Sequence, residues 1–377
     1  MNVGVLVGGC SPEHDVSLAS AAQVLQHLDR SRWRVWPVLL TRDGAWRPSR
    51  QPLAVDEVWS ASNEDRLMEA MRPGRAVDWL LGEANIDVAF PVLHGPFGED
   101  GTVQGMLELH GLPFVGSGCA ASAVAMDKLR TRQVYRAAGI PIPASYEPSV
   151  PFDQVDSQAE FEAMERAIGT PAYVKVDASG STVGVQRIQD AEELGGFFQA
   201  FRRRFRRWYA EQGVVGEEIT VAVLGNAGRS PQALPPVGIY PVDDDWFTHD
   251  AKYRPGATEE IIPPRGLSLA MLEEVQKLAV RCHELLVCDG ISRTDMIVTA
   301  SGPVVLETNS LPGMTSNSLL PRAAAAAGIT FPELLDRLLE LALERPALVG
   351  ADQPVNTQPR EVDKETQQEA VADNGPQ

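Results

Sequence analysis

The sequence is poor in cysteine, carries a large excess of acidic residues and contains no long apolar run. Its four cysteines show no metal-type clustering, so we expect reduced thiols of a cytoplasmic protein. No apolar run reaches the ~20 residues that a membrane span needs, and the N-terminal segment has neither the basic nor the apolar region of a secretory signal. The formal net charge of −18 argues against nucleic acid as the main partner. These absences predict a cytoplasmic protein that binds neither membranes nor nucleic acid.

One basic segment, FRRRFRRWY at residues 201–209, interrupts the acidic composition. Phe198, Phe201, Phe205 and Trp208 recur at helical spacing, which leaves the arginines on the outer face of a helix. We interpret the segment as a solvated helix face, and binding of a polyanion is the alternative.

The length of 377 residues and the apolar content of 44% predict a soluble α/β protein of two or three domains. Strand and helix patterns alternate over the first ~125 residues, as in an open parallel sheet. The predicted strands are Val3–Val7, Val35–Leu40, Val88–Leu93 and Pro113–Val115, and the predicted helices are Val16–Leu28 and Gly101–Leu109.

The rest of the chain reads as two mixed regions and a tail. We place the domains at residues 1–126, 127–210 and 211–346. The last helix begins at a capping box formed by Thr330 and Glu333. Residues 347–377 contain no aromatic side chain and an excess of acid, so we expect this tail to be disordered.

The segment SRTDMIVTASGPVVLETNS predicts a β-hairpin, because two β-rich runs flank ASG. A three-residue loop with Gly302 in the left-handed region is a common connection. It pairs Asp295 with Glu307 and Arg293 with Asn309. Since side chains alternate faces along a strand, these four would share one face. A two-residue turn would shift the register by one residue and separate Asp295 from Glu307.

The oxygens of Asp295, Glu307 and Asn309 are the ligands that Mg²⁺ prefers, with positions left for water and phosphate oxygens. Arg293 beside them suits the charge that develops on a transferred phosphoryl group. The alternative is a solvent-exposed polar face, but that does not explain why apolar residues alternate with these four. The pattern therefore predicts metal-dependent phosphoryl chemistry.

Eight ordered motifs carry a resemblance to a known family. They are GGCSPEHDVSL, LHGPFGEDGTVQGMLELHGLPFVGSG, SAVAMDKLRTR, VKVDASGSTVGV, GEEITVAVLG, DAKY, RTDMIV and LETNSLPGMTSNSLLP. From Val3 to about Leu343 the chain resembles the D-alanine–D-alanine ligase family of ATP-grasp enzymes. The resemblance implies an ATP-grasp fold, with an N-terminal open parallel α/β domain that binds substrate. Residues 127–210 would be the central ATP-grasp subdomain and residues 211–346 the C-terminal catalytic one.

The resemblance also implies the reaction. ATP would activate one D-alanine as an acyl phosphate, and a second D-alanine would attack it to give D-alanyl-D-alanine for peptidoglycan precursors. ATP and two Mg²⁺ (or Mn²⁺) ions are implied as cofactors, D-alanine as substrate, and a homodimer as the assembly. Two alternatives stay open: a related ligase with D-lactate, D-serine or another second substrate, and a catalytically impaired nucleotide-binding homologue. A dinucleotide-dependent dehydrogenase is not favoured, since VLVGGCSPEHDVSL lacks the G-x-G-x-x-G spacing.

The resemblance assigns roles residue by residue. The residues at the reaction centre would be Glu13, Ser181, Tyr253, Arg293 and Gly313. Those that contact the amino-acid substrates would be His94, Glu99, Lys252, Ser318 and Leu319. Those that bind ATP would be Lys128, Lys175, Gly180, Thr182, Glu211 and Glu218. The metal ligands would be Asp295, Glu307 and Asn309, the set that the hairpin pairing also predicts.

Within these sets, Glu13 would bind the ammonium of the first D-alanine, and Lys128 and Lys175 would bind phosphates. Glu211 and Glu218 would contact the adenosine portion of ATP. A buried histidine with a purely structural role is the alternative for His94. For the neighbouring Asp15, a helix-capping acid is the bland interpretation.

The chain departs from the family pattern at several positions. Val176, Ala178 and Ser179 stand where the family usually has a proline and charged residues. Asn317 replaces a common histidine, and Leu311 replaces a small or polar residue. These changes put loop closure in doubt, while every expected metal ligand and phosphate lysine is kept.

Overall fold

The computed structural model describes residues 1–148, 152, 156–176, 184–241, 258–315 and 318–345. Met1–Arg345 form one compact unit, whose described residues contain three β-sheets. Among these residues, no helix has the length and apolar character needed to cross a membrane. The domain boundaries at residues 126 and 210 stay predictions, and the predicted acidic tail lies outside the described residues.

The first sheet is built from apolar runs that are buried on both faces. Its elements are β1 (Asn2–Gly8), α1 (His14–His27), β2 (Arg34–Leu40), β3 (Trp46–Pro48), α2 (Pro73–Gly82), β4 (Val88–Leu93), α3 (Thr102–Leu109) and α4 (Cys119–Met126), with a short 3₁₀ turn at Glu64–Arg66. The strand order is β3–β2–β1–β4, and β1 runs parallel to both of its neighbours. The carboxyl ends of β1 and β4 therefore flank a topological switch point, where open α/β sheets bind ligands.

Most of the N-terminal predictions are confirmed: β1, β2 and β4 match three predicted strands, and α1 and α3 match both predicted helices. The strand predicted at Pro113–Val115 is wrong. Phe114 forms a single parallel bridge with Ala89. Two residues later Gly116 has a φ of +100°, which turns the chain away from the sheet before a ladder can extend.

The second sheet is antiparallel, and three helices belong to the same part of the chain. Its elements are α5 (Lys128–Ala137), β5 (Ser145–Tyr146), α6 (Ser157–Ile168), β6 (Ala172–Val176), β7 (Val185–Ile188), α7 (Ala191–Phe201) and β8 (Trp208–Gln212). The strand order is β5–β8–β6–β7. Aromatic side chains of α7 and β8 fill its core, with the rings of Phe198 and Trp208 5.0 Å apart.

The single helix predicted through the basic segment is wrong. Helix α7 ends at Phe201, a turn follows, and Trp208 begins a strand. The expected division of faces is nevertheless confirmed, since Phe198 and Trp208 are buried and the arginines between 202 and 207 are exposed. The aromatic residues converge on one core from a helix and a strand, so their spacing imitates a continuous helix.

The third sheet holds the predicted hairpin. Its elements are β9 (Glu217–Leu224), β10 (Gln232–Ala233), β11 (Val237–Pro241), β12 (Thr258–Ile261), α8 (Leu269–Leu285), β13 (Ile291–Thr299), β14 (Gly302–Asn309), α9 (Leu319–Ala326) and α10 (Phe331–Leu343). The order is β12–β11–β9–β13–β14, which places β14 at an edge. Helix α10 begins at the predicted capping box of Thr330 and Glu333. Its leucines join one apolar cluster with the first sheet, so the hairpin sheet and the parallel sheet share a core.

Candidate active site

The first group of candidate residues lies at the carboxyl ends of β1 and β4. We call Ser11, Glu13, His94 and Glu99 the strand-end cluster. Gly8 and Gly9 have φ values of +88° and +99°, and Gly95 has +70°; each value is in the region that favours glycine. These turns bring two loops together that are about 80 residues apart along the chain.

Hydrogen bonds fix the strand-end cluster from both loops. The Ser11 hydroxyl donates to the carbonyl oxygen of His94 at 2.6 Å and accepts from the backbone N–H of Glu13 at 3.1 Å. The buried His94 ring lies with Nδ1 3.2 Å from Glu99 Oε1 and Nε2 3.1 Å from Ser20 Oγ. The ring therefore orients Glu99 while it anchors the loop to α1.

The Glu13 carboxylate lies directly against Gly95, where a Cβ atom would overlap Glu13 Oε2. Glu13 is also the N-cap residue of α1, although its side chain makes no capping hydrogen bond. The interpretation of Asp15 as a helix cap is wrong, because Asp15 lies inside α1 and pairs with Arg42 at 2.7 Å. The acid that faces the switch point is Glu13.

The second group lies on the hairpin, on what we call the hairpin face: Arg293, Asp295, Glu307 and Asn309. Strands β13 and β14 pair Arg293 with Asn309 and Asp295 with Glu307, so the predicted pairing is confirmed. The predicted turn is wrong. Thr299 pairs with Gly302, which leaves a two-residue connection.

A β-bulge reconciles these two results. The register shifts by one residue between Asp295 and Met296, and Leu306 is the extra residue on β14. The hairpin thus contains one residue more than regular pairing requires. That residue was predicted in the turn and instead lies at Leu306, so the hairpin face forms as predicted.

Cations hold the carboxylates of the hairpin face. Arg293 donates from Nε and Nη2 to the two oxygens of Asp295, at 2.9 and 2.8 Å. Thr220 on β9 also donates to Asp295, and Asn309 Nδ2 lies 3.3 Å from Asp295 Oδ2. Bidentate pairing of this kind fixes both the position and the orientation of a carboxylate.

Glu307, the other acid of the hairpin face, pairs with Lys128 at the start of α5. Burial lowers the pKa of Lys128, but the charges of Glu307, Glu211 and Asp295 outweigh burial and raise the pKa above its ordinary value. Lys128 therefore stays charged. It links the hairpin face to the second sheet, where Glu211 lies.

Arg293 connects the hairpin face with the strand-end cluster. Burial lowers the pKa of its guanidinium, but attraction by Asp295, Glu307 and Glu99 outweighs burial and raises it. The charge of Glu99 contributes to this shift, which couples Arg293 electrostatically to the strand-end cluster. An amino acid at the strand ends would lie next to the hairpin face.

The donor set of the hairpin face fits a hard divalent cation, since it consists of carboxylate and amide oxygens. Across the described part of the chain, no three histidine, cysteine, aspartate or glutamate side chains form a metal-type group. A cation bound here would take oxygens from Asp295, Glu307 and the amide of Asn309, with water or phosphate oxygens completing its coordination. The amide nitrogen of Asn309 faces Asp295, which leaves the oxygen as an acceptor.

Lys175 on β6 and Glu211 on β8 meet in the second sheet. Lys175 Nζ lies 2.6 Å from Glu211 Oε2, and Arg132 Nη1 lies 2.5 Å from Glu211 Oε1. Glu211 was expected to contact adenosine, and its two carboxylate oxygens instead accept from these cations. Its role toward ATP stays a prediction.

Glu218, the other residue expected to contact adenosine, lies on β9 close to the second sheet. Burial raises the pKa of Tyr173 on β6; Arg187 opposes this increase and the charge of Glu218 adds to it. Glu218 on β9 is therefore coupled electrostatically to Tyr173 on β6 of the second sheet.

The loop after β14 carries the remaining described candidates. Gly313 lies so close to Ser318 that a Cβ atom there would be 2.9 Å from Ser318 Oγ. Ser318 Oγ accepts from the backbone N–H of Thr315 at 3.0 Å, and Leu319 begins α9. Gly313 and Ser318 are thus adjacent. This is what we expect if Gly313 lies at the reaction centre and Ser318 contacts the amino-acid substrate that reacts there.

Several predicted residues lie outside the described residues, namely Gly180, Ser181, Thr182, Lys252 and Tyr253, together with the variant positions Ala178, Ser179 and Asn317. Val176 is described: it ends β6, and its N–H donates to the carbonyl oxygen of Gly184 at 3.0 Å.

Sequence reasoning missed Arg132 and Thr220. Each lies in an element whose other residues were identified, Arg132 one turn after Lys128 and Thr220 two residues after Glu218. A partial signal existed for both, since helical periodicity places Arg132 on the inner face of its helix and strand alternation places Thr220 on the same face as Glu218. Their partners are 79 and 75 residues away, which periodicity cannot supply.

Comparisons with known proteins identify the family to which the chain is similar. Residues 2–117 match the family model described as D-ala D-ala ligase N-terminus, and residues 134–340 match D-ala D-ala ligase C-terminus. The chain is 40% identical over 345 residues to the D-alanine–D-alanine ligase of Syntrophobacter fumaroxidans, covering 91% of this chain and 98% of that protein. Identity to the D-alanine–D-alanine ligase of Geobacillus kaustophilus is 35% over 353 residues, covering 91% and 95%.

Solved structures give the same similarity. The D-alanine–D-alanine ligase from Coxiella burnetii aligns with a TM-score of 0.73 and 28% identity, covering 92% of this chain and 94% of that one. The D-alanine–D-alanine ligase from Bacillus anthracis complexed with ATP aligns with a TM-score of 0.69 and 29% identity, covering 91% and 97%.

Proposed function

Because the chain belongs to the D-alanine–D-alanine ligase family, we propose that its two groups of residues divide the ATP-dependent ligation of two D-alanines between them. The fold is the ATP-grasp fold, preceded along the chain by an open α/β domain. The strand-end cluster holds the first D-alanine. The hairpin face, with Lys128 and Lys175, holds ATP and its metal ions.

At the strand ends, Glu13 accepts hydrogen bonds from the ammonium of the first D-alanine. His94 and Glu99 keep the loop in place on the side that faces Arg293. This arrangement directs the carboxylate of the substrate away from Glu13, since like charges repel. The carboxylate then points toward Arg293 and the phosphates.

At the hairpin face, Lys128 and Lys175 neutralise phosphate charge, and Glu211 and Glu218 border the adenosine. Asp295, Glu307 and Asn309 would hold Mg²⁺ or Mn²⁺, expected as two ions. A cation held there supplies Lewis-acid stabilisation of the charge on the β- and γ-phosphates.

The reaction proceeds in two displacements. A carboxylate oxygen of the first D-alanine attacks the γ-phosphorus, the bond to the β–γ bridging oxygen breaks, and ADP leaves with that oxygen. The amine of the second D-alanine then attacks the acyl carbon. The carbon–oxygen bond to phosphate breaks, the nitrogen loses a proton, and D-alanyl-D-alanine and phosphate are formed.

The chain's own residues stabilise each step by position and charge. Arg293 stabilises the charge of the transferred phosphoryl group. Gly313 donates its backbone N–H to the oxygen at the tetrahedral carbon, and Ser318 and Leu319 contact the carboxylate of the second D-alanine. Ser181 and Tyr253 keep their expected place at the reaction centre, and Lys252 keeps its expected contact with an amino-acid substrate.

The observation that carries this proposal is the pairing of Asp295 with Glu307 on one face, beside Arg293. Arg293 contacts Asp295 directly and is coupled electrostatically to Glu99 of the strand-end cluster. This arrangement would place a binding site for metal and phosphate next to a binding site for an amino acid. The dipeptide product would enter peptidoglycan synthesis, and the enzyme would act in the cytoplasm as a homodimer. Light scattering on the purified chain tests the assembly, and a monomer at working concentration would contradict it.

Product analysis tests the reaction and the second substrate. The chain is incubated with MgATP and equal D-alanine and D-lactate, and products are counted by mass at about pH 6 and about pH 9. We expect one ADP per dipeptide, with dipeptide rising toward the higher pH because the attacking amine must be neutral. Predominant ester at both pH values would identify a related ligase instead. An absence of ADP release would identify a nucleotide-binding homologue without catalysis.

A further inference from the structure

Arg132 is a buried cation to which the reaction assigns no role. It lies inside α5 and is 2% exposed. Its Nη1 lies 2.5 Å from Glu211 Oε1, and its Nη2 donates to the carbonyl oxygen of Pro143. The guanidinium also lies 5.9 Å from the centre of the Tyr209 ring. These contacts fix Arg132 firmly against one oxygen of Glu211.

Glu211 shares its carboxylate between two cations. The side chain is 2% exposed, and its second oxygen lies 2.6 Å from Lys175 Nζ. A buried carboxylate is costly unless a cation compensates it. If Lys175 were its one counter-ion, moving that lysine to a phosphate would leave Glu211 buried and unpaired.

Arg132 removes this conflict. With Arg132 in place, Glu211 keeps a charged partner whether or not Lys175 remains beside it. Lys175 is also the more mobile of the two partners, because it has a flexible stem and a single ammonium, whereas Arg132 is held at both ends of its guanidinium.

We propose that Arg132 is a positioning residue that holds Glu211 so that Lys175 can turn to the phosphates of ATP. The proposal rests on the phosphate-binding role assigned to Lys175 under the proposed function. Arg132 touches neither substrate nor reacting atoms and acts through Glu211. It therefore favours nucleotide binding by stabilising the state in which Lys175 has left the carboxylate.

The effect of Arg132→Met on MgATP binding should therefore depend on whether position 211 carries a carboxylate. Arg132→Met leaves Lys175 as the principal cation at Glu211, so MgATP should bind about tenfold more weakly. In a Glu211→Gln background no buried carboxylate retains Lys175. The same Arg132→Met change should then alter the Kd for MgATP by less than about twofold.

The test measures the Kd of MgATP by calorimetry and the KM for ATP in the wild type, Arg132→Met, Glu211→Gln, their double variant and Lys175→Met. Arg132→Lys keeps the charge and should stay within about threefold of the wild type. Arg136→Met is the matched control, since Arg136 lies on the same helix, is exposed and donates to Ser145 Oγ at 3.1 Å. It should leave the Kd unchanged.

The outcomes separate this inference from the proposed function. If Lys175→Met does not weaken MgATP binding, the phosphate role of Lys175 is wrong. Suppose that Lys175→Met weakens MgATP binding but Arg132→Met changes the Kd equally in the wild type and in the Glu211→Gln background. Arg132 then has a purely structural role. If Arg132→Met does not fold, the Kd values of Arg132→Lys and of the double variant test the proposal instead. The proposal is wrong if Arg132→Lys weakens MgATP binding as much as Lys175→Met does.

Discussion

The strand-end cluster and the hairpin face lie within electrostatic reach of each other, yet their geometries have different origins. The strand-end cluster is made by loops, in which glycines with positive φ turn the chain between distant residues. The hairpin face is made by strand register, in which alternate side chains point the same way. A single added Cβ atom can therefore damage the first region, whereas the second is sensitive to how many residues its strands contain.

The largest effect is expected at the hairpin face. Glu307→Gln removes a proposed metal ligand and the partner of Lys128, so kcat should fall by about a thousandfold while circular dichroism is unchanged. Glu259→Gln is the matched control, because that carboxylate pairs with the exposed Arg265 and should leave turnover as it is. Near-wild-type turnover in Glu307→Gln would exclude the hairpin face as the catalytic centre.

The bulge offers a direct test of register. Because the hairpin has one surplus residue, deleting Leu306 removes the bulge and keeps Asp295 opposite Glu307. Deleting Ala300 can likewise be absorbed, by a regular hairpin with Ser301 and Gly302 as its turn. Either single deletion should retain activity to within about tenfold.

Deleting Leu306 and Ala300 together exceeds the surplus. Glu307 should then lie opposite Met296, on the other face, and turnover should fall by about a thousandfold. Edge strand β14 can shift without unpairing β9 from β13, so the fold should persist by circular dichroism. An active double deletion would show that register does not set the hairpin face.

The hairpin shows how much of the site can be predicted from the sequence. Alternation along DMIVT and PVVLETN is enough to pair Asp295 with Glu307. It cannot place the surplus residue, because Leu306 has the same β-propensity and polarity in a bulge as in a regular strand. The turn was therefore predicted wrongly and the pairing correctly.

Contacts between elements were less accessible. The strand-end cluster and the Lys128–Glu307 pair join residues up to 179 positions apart. The family resemblance indicated Glu13, His94, Glu99 and Lys128 as site residues, but neither it nor periodicity predicted that Lys128 pairs with Glu307. The Arg132–Glu211 pair was missed for the same reason. Helical spacing shows that Arg132 faces inward, but not which carboxylate lies there.

A buried histidine beneath the hairpin should make this region sensitive to acid. His283 on α8 lies with Nδ1 2.8 Å from Ser292 Oγ on β13. Burial lowers its pKa from 6.5 to about 4, so between these values the unfolded chain takes up a proton that the folded protein does not. The free energy of unfolding is fully retained above pH 6.5 and falls by about 3 kcal/mol as the pH drops to about 4.

Urea unfolding at about pH 7 and about pH 4 measures this loss. His283→Gln has no histidine to titrate at this position. Its free energy of unfolding should therefore decrease by about 3 kcal/mol less over the same pH interval. An equal decrease in both proteins would mean that His283 does not limit acid stability.

The smallest expected effect belongs to the strand-end cluster. In Gly95→Ala the new Cβ overlaps the Glu13 carboxylate, so the KM for D-alanine should rise about tenfold while the KM for ATP is unchanged. Gly139→Ala is matched for backbone strain, since Gly139 has a φ of +68° against +70° for Gly95 and open space around it. A KM for D-alanine that rises equally in both variants would remove Glu13 from the explanation.

The most direct test of the division between the two regions is the Kd of MgATP in Asp295→Asn and Glu13→Gln, measured side by side by calorimetry. We expect Asp295→Asn to weaken MgATP by at least about tenfold, because it removes a carboxylate from the hairpin face. Glu13→Gln should leave the Kd within about twofold, because the strand-end cluster holds the amino acid and not the nucleotide. Equal weakening in both variants would contradict the account.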